Sequence, residues 1–180
     1  MKAAVLLCAC LALATTVNAV TKGRLVISKT DDSLITVIDL DTLSQVGSLT
    51  DVGSRAAVYT TDDGVFAVVS HSSQGVIRFV DSGLTYNSDG SMAVKHSPHF
   101  TSFESTGTKP AHVNSNLGWT VVHYDGDRAQ DIDSKVVALR ESELDVASPD
   151  EIKFPPMGPQ HGGTQLDAAA RILSLTHCLS

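Results

Sequence analysis

The sequence predicts an all-β fold: a partial β-propeller of about three to four blades, each a four-stranded antiparallel sheet, in an incomplete ring. Three observations carry that expectation. One pattern recurs three times, an apolar strand, a polar turn, a second apolar strand and a charged turn. Its copies run from Arg24 to Leu40, from Gly64 to Asp81 and from Gly118 to Leu139, and a fourth starts at Ala170 and reaches His177. Spacings of about 40–60 residues between strand-rich units suit propeller blades, and no amphipathic helix of useful length interrupts them.

The N-terminal residues read as a targeting segment over 1–19. Lys2 supplies the positive n-region, Ala3 to Ala14 the apolar stretch, and Val17-Asn-Ala19 a small-residue cleavage site. The stretch is too short to span a bilayer. Cleavage after Ala19 makes the protein secreted or periplasmic, and a lipoprotein carrying its lipid on Cys10 is the alternative. Either Cys8 and Cys10 leave with the signal or one is modified, so Cys178 is the remaining free thiol and no internal disulfide is expected.

The propeller is expected over 20–180, with blades at about 22–52, 53–108 and 109–157 and the start of another at 158–180. In the first, Arg24 to Ser28 alternates as a strand, Asp31-Asp-Ser33 turns and Leu34 to Leu40 returns. Gln45 to Thr50 completes it on the outside. The second repeats the order, with Asp62-Asp-Gly64 turning into Val65 to Ser70 and Ser72 to Gly75 turning into Val76 to Val80. Nearly continuous Val, Ile and Leu runs suit strands covered on both faces. Leu84 to Gly90 reads as a hairpin tip, Met92 to Lys95 returns, and Ser142 to Val146 suits a single helical turn. Closed rings need four to eight blades, so the chain is expected to be the N-terminal part of a longer propeller.

Net charge is −7, with 13 Lys and Arg against 20 Asp and Glu, and the basic residues are scattered singly. Neutralising phosphates needs a basic patch, so nucleic acid is excluded as a partner. There is no glycine-rich phosphate loop, nucleophile elbow, paired-cysteine knuckle or haem-attachment motif. The chain therefore reads as non-enzymatic.

Histidine is where chemistry concentrates. All seven lie between His71 and His177, and neutral imidazole is the commonest zinc ligand. Lys109-Pro-Ala-His112 and Gly158-Pro-Gln-His161 each place a histidine two residues after a proline and upstream of a strand core. In a propeller both would aim toward one end of the central channel, or both are ordinary loop residues. His96-Ser-Pro-His99 has a spacing that lets two imidazoles share one ion, although Pro98 can equally hold them apart. His123 precedes the Tyr124-Asp-Gly-Asp127 turn, where Asp125 is an oxygen donor or simply turn chemistry. His71 and His177 occupy matching places at strand ends, where a bond to backbone is expected.

At Lys109 to Val113, Gly118 to Gly126 and Gly158 to Gly163, the chain resembles the periplasmic zinc-chaperone propellers that serve ABC-type zinc importers. More loosely its blades are similar to the YVTN and quinoprotein-like propellers. The resemblance implies Zn(II) as the bound ion, His112 and His161 as ligands and Asp125 near the same channel mouth. It also implies a transport-system binding protein as partner. The chain departs from that pattern in lacking a histidine-rich stretch after the signal. A scaffold that binds another protein through the loops 87–103 and 149–159, or a fragment with no function alone, is the alternative reading.

Overall fold

The computed structural model describes residues 22–29, 31–156 and 158, and the backbone of 162–166 and 172–177. The expected signal segment, His161 and Cys178 lie outside the described residues. Every strand pairing is antiparallel. The first sheet is β1 (Arg24–Ser28), β2 (Leu34–Asp39) and β3 (Ser44–Thr50). The second begins with β4 (Ala57–Thr60), β5 (Phe66–His71) and β6 (Val76–Asp81). A two-stranded hairpin, β7 (Leu84–Tyr86) and β8 (Met92–Val94), then projects before β9 (His99–Thr106) returns as the fourth strand. The third is β10 (Pro110–Asn116), β11 (Trp119–Tyr124), β12 (Lys135–Arg140) and β13 (Glu151–Lys153), and β14 (Gly162–Leu166) pairs with β15 (Ile172–His177). This is the serial arrangement of a partial propeller. The expected turn at Ser142 is a single 3-10 turn, Glu141–Glu143.

Sheets stack through their strand faces, as the apolar runs predict. Ile35 and Val37 of β2 pack on Ala67, Val69 and Val80, sealing the first sheet against the second. On the opposite face of that second sheet, Phe66, Val68, Ile77 and Phe79 meet Val113, Val122, Tyr124, Val137 and Leu139 of the third. Fully burying such a side chain contributes about 1.5–3 kcal/mol, so these two layers dominate the fold's stability. All six residues of β5 are buried, because this strand is covered from both sides.

The first sheet departs from the expected four strands. The repeated pattern equates β1 with β5 and β11, each the apolar strand after which the chain turns into the next. Contacts agree: β4, the first strand of its sheet, lies against β1 just as β10 lies against β5, and the last strands β3 and β9 touch. Thus β1–β3 fill the second to fourth places, and the first place has no strand among the described residues.

Candidate metal centre

Asp81 closes β6 and His99 opens β9, and the sheet register sets them directly opposite one another. Between them the chain makes the β7–β8 hairpin and comes back through Lys95 and His96. Gly83 controls that return. Its carbonyl accepts the Lys95 amide at 2.8 Å and the His96 amide at 3.4 Å. Its φ of +76° is left-handed, and a Cβ there would sit 2.0 Å from the His96 carbonyl oxygen, so only glycine fits. Arg24 of β1 donates from its guanidinium to the Ser82 carbonyl, tying the same turn to the first sheet.

The result is a three-donor group. Ligand atoms of Asp81, His96 and His99 all lie within 4.8 Å of one another. His96 Nε2 is 3.4 Å from Asp81 Oδ2, and the two imidazole rings meet edge to face with centroids 5.0 Å apart. Asp81 Oδ1 accepts the Gly83 amide at 2.7 Å, leaving Oδ2 turned to the histidines. The carboxylate is buried while His96 is half-buried and His99 exposed, so the group opens to solvent on the imidazole side.

Tautomers follow from one carbonyl. Ser97 O lies 3.0 Å from His96 Nδ1 and 3.3 Å from His99 Nδ1. A carbonyl only accepts, and it has two lone pairs, so both Nδ1 atoms donate to it and Nε2 is the ring nitrogen left in each to meet a cation. That is the outer-shell arrangement that prepares imidazoles to bind a cation. Pro98, expected to separate the two rings as readily as to join them, leaves the Ser97 carbonyl between them.

A tetrahedral zinc ion with bonds of about 2.0–2.1 Å needs donors about 3.4 Å apart, which the His96–Asp81 pair already meets. Two nitrogens and one carboxylate oxygen are a zinc-type donor set with one position left over for solvent or a fourth ligand. The donor chemistry fits the ion, as does the spacing of the His96–Asp81 pair.

The other histidines named from sequence fall elsewhere. His112 and His123 face each other across β10 and β11, with stacked rings 6.3 Å apart. His123 is fully buried, and its Nδ1 lies 3.3 Å from Asp125 Oδ1. The structure thus brings His112, His123 and Asp125 into one neighbourhood. Among the described residues, however, three donors within 4.8 Å occur at Asp81, His96 and His99.

Sequence reasoning passed over Asp81, which it treated as the end of a repeat. The available signal was the cross-strand register, since a hairpin insertion that leaves β6 and rejoins at β9 must bring their ends together. His71 also differs from expectation. Its Nε2 pairs at 2.6 Å with the Asp51 carboxylate rather than with backbone, both side chains are fully buried, and Arg78 reaches the other Asp51 oxygen at 3.0 Å. Asp51 lies between the first and second sheets, so this triad is an inter-sheet tie.

No protein-family model matches the chain, and no curated protein matches it. Solved structures do. The chain is similar to AztD from Citrobacter koseri, with a TM-score of 0.70 and 23% identity over 80% of this chain and 37% of that one. The apo form of the same protein superposes with a TM-score of 0.69 at 23% identity, over 80% and 36%. The chain therefore spans a little over a third of the length of AztD and shares its fold over that part.

Proposed function

We propose that the chain is the zinc-handling part of a non-catalytic, extracytoplasmic propeller and that Asp81, His96 and His99 hold the ion as cargo. The observation that carries this reading is the convergence of one buried carboxylate and two imidazoles whose Nδ1 atoms share one carbonyl. The chain shares its fold with AztD over the part it spans, and its sequence resembles the zinc-chaperone propellers. A transport-system binding protein is the partner this reading implies. Two protein nitrogens and one oxygen with an open fourth position suit an ion that is to be passed on, because a receiving ligand can enter without first displacing a protein donor. His112 and His161 are proposed as a second histidine pair, on β10 and immediately before β14. No helix among the described residues is long and apolar enough to cross a membrane.

Calorimetric titration of the purified full chain with zinc tests the reading. Replacing His96→Ala together with His99→Ala is expected to abolish one equivalent of binding, and His112→Ala with His161→Ala to remove a second. An unchanged isotherm in the first double variant overturns the Asp81 site.

A further inference from the structure

We infer that Arg24 and Gly47 of the first sheet are positioning residues for the Asp81–His96–His99 group of the second, so that the metal centre is built across the seam between two sheets. The inference rests on the zinc reading above and adds to it residues that hold no ion themselves. Two contacts carry it, and they reach opposite sides of the group. On the carboxylate side, the Arg24 guanidinium donates to the Ser82 carbonyl, next to Asp81. It lies against the glycine turn, since a Cβ on Gly83 would be 3.0 Å from Arg24 Nη1. Arg24 Nε is buried and has no hydrogen-bond partner. The side chain therefore keeps this place at the cost of its own hydration, where a surface arginine would turn outward. From Ser82 the path is short: the Gly83 amide donates to Asp81 Oδ1, and the Gly83 carbonyl accepts the Lys95 and His96 amides.

On the imidazole side, Pro98 stands between His96 and His99 and is buried although both of its neighbours are exposed. It seats against β3. A Cβ on Gly47 would meet Pro98 Cβ and Cγ at 3.3 Å and Val37 Cβ at 3.4 Å, so the missing side chain at 47 is what admits the proline. Val37, paired with Gly47 in the ladder, belongs to the layer that seals the first sheet on the second, and Phe100 beyond His99 packs on that layer too. Proline fixes its own φ and restricts the residue before it, so seating Pro98 sets where the Ser97 carbonyl points. That carbonyl holds both Nδ1 atoms. The first sheet thus orients all three donors through two backbone carbonyls, Ser82 O and Ser97 O, in the way that outer-shell groups orient metal ligands. Linkage makes the effect mutual: whatever factor the first sheet adds to zinc affinity, bound zinc adds to the docking of that sheet.

The test measures zinc affinity of the full chain by chelator competition in four variants. Arg24→Ala and Gly47→Val should each weaken binding about tenfold, although neither removes a donor. Arg24→Lys keeps an N–H for the Ser82 carbonyl and should recover most of the loss. Ile35→Val loosens the same seam, where Ile35 is fully buried, without touching either path, and should bind as wild type. Should Gly47→Val fail to fold, Gly47→Ala replaces it with a loss of about two- to fivefold, because the proline then yields by only a few tenths of an ångström. Wild-type affinity in both Arg24→Ala and the Gly47 variant overturns the inference and leaves the zinc site standing. An equal loss in Ile35→Val also overturns it, since any loosening of the seam would then suffice. A wild-type isotherm from which His96→Ala with His99→Ala removes nothing sinks the zinc reading itself, and this inference with it.

Discussion

Replacing Gly83 with alanine tests whether the turn, rather than the donors alone, makes the proposed metal centre. The new methyl group would lie 2.0 Å from the His96 carbonyl oxygen and 2.9 Å from its carbon, where ordinary contact begins at 3.4 Å. The backbone at His96 must therefore retreat by at least about 1 Å from the Asp81 turn. A non-glycine residue in the left-handed region costs about 1–2 kcal/mol. Loosening the amide bonds from Lys95 and His96 to the Gly83 carbonyl costs about 1 kcal/mol more. Gly83→Ala should thus lower unfolding free energy by about 2–3 kcal/mol. Zinc affinity should fall by about 10–100-fold, the range seen when groups that orient ligands are disturbed. All three donors remain, so the loss would come from geometry. Urea unfolding and competition against a chelator measure the two effects separately. A destabilised variant that still binds zinc at full affinity would refute the argument that this turn positions His96.

Two further predictions concern the ties between sheets. Asp51→Ala leaves the fully buried His71 and the Arg78 guanidinium without their shared carboxylate, and removing one partner from a buried charged pair costs about 3–5 kcal/mol. A loss below about 1 kcal/mol in urea unfolding would mean that the triad does not hold the first two sheets together. Glu141 is fully buried and accepts the Asp62 amide at 3.1 Å and the Thr120 hydroxyl at 3.1 Å. Burial pushes its carboxyl above the ordinary value, so the native state holds this proton to higher pH than the unfolded chain does. Its charged form costs stability at neutral pH, and the contribution improves as pH falls through the raised value. Wild type should accordingly gain on Glu141→Gln in urea midpoints as pH falls from neutral toward the ordinary carboxylate range, and a difference that stays flat or reverses sign would contradict the assignment.

The blades were legible because the second and third strands of each sheet are rich in apolar residues: Ile35 and Val37 of β2, Val68 and Phe79 of β5 and β6, and Val122 and Leu139 of β11 and β12 end up in the stacked layers. The three-stranded first sheet was harder to see, since the motif marks second and third strands and says nothing of what precedes β1. Of the site, His96 and His99 were visible as a spaced pair. Whether Pro98 joins or parts them depends on where the Ser97 carbonyl points, which is a property of the turn and not of the spacing. Asp81 was invisible for a different reason. It is 15 residues from His96 along the chain, and only the antiparallel register across the inserted hairpin closes that gap. Likewise the His71–Asp51 pair joins residues of successive sheets, and no local pattern announces it.

The placement of the centre follows from that insertion. In the third sheet the corresponding connection, from β12 to β13, makes a short 3-10 turn and carries no histidine. The repeat alone therefore does not create the site; the extra hairpin in the second sheet does, by carrying the chain out through β7 and returning it past Gly83 onto the Asp81 end of β6. The histidines that the repeat itself supplies, His112 and His123, lie instead on the first two strands of the third sheet, one of them fully buried. A buried imidazole within the stacked layers is positioned by packing, whereas His96 and His99 sit at an open turn with their Nδ1 atoms held by one carbonyl. An ion that must arrive and leave through solvent is served by the second arrangement, because it can shed its water stepwise against exposed donors while the buried Asp81 carboxylate anchors the charge.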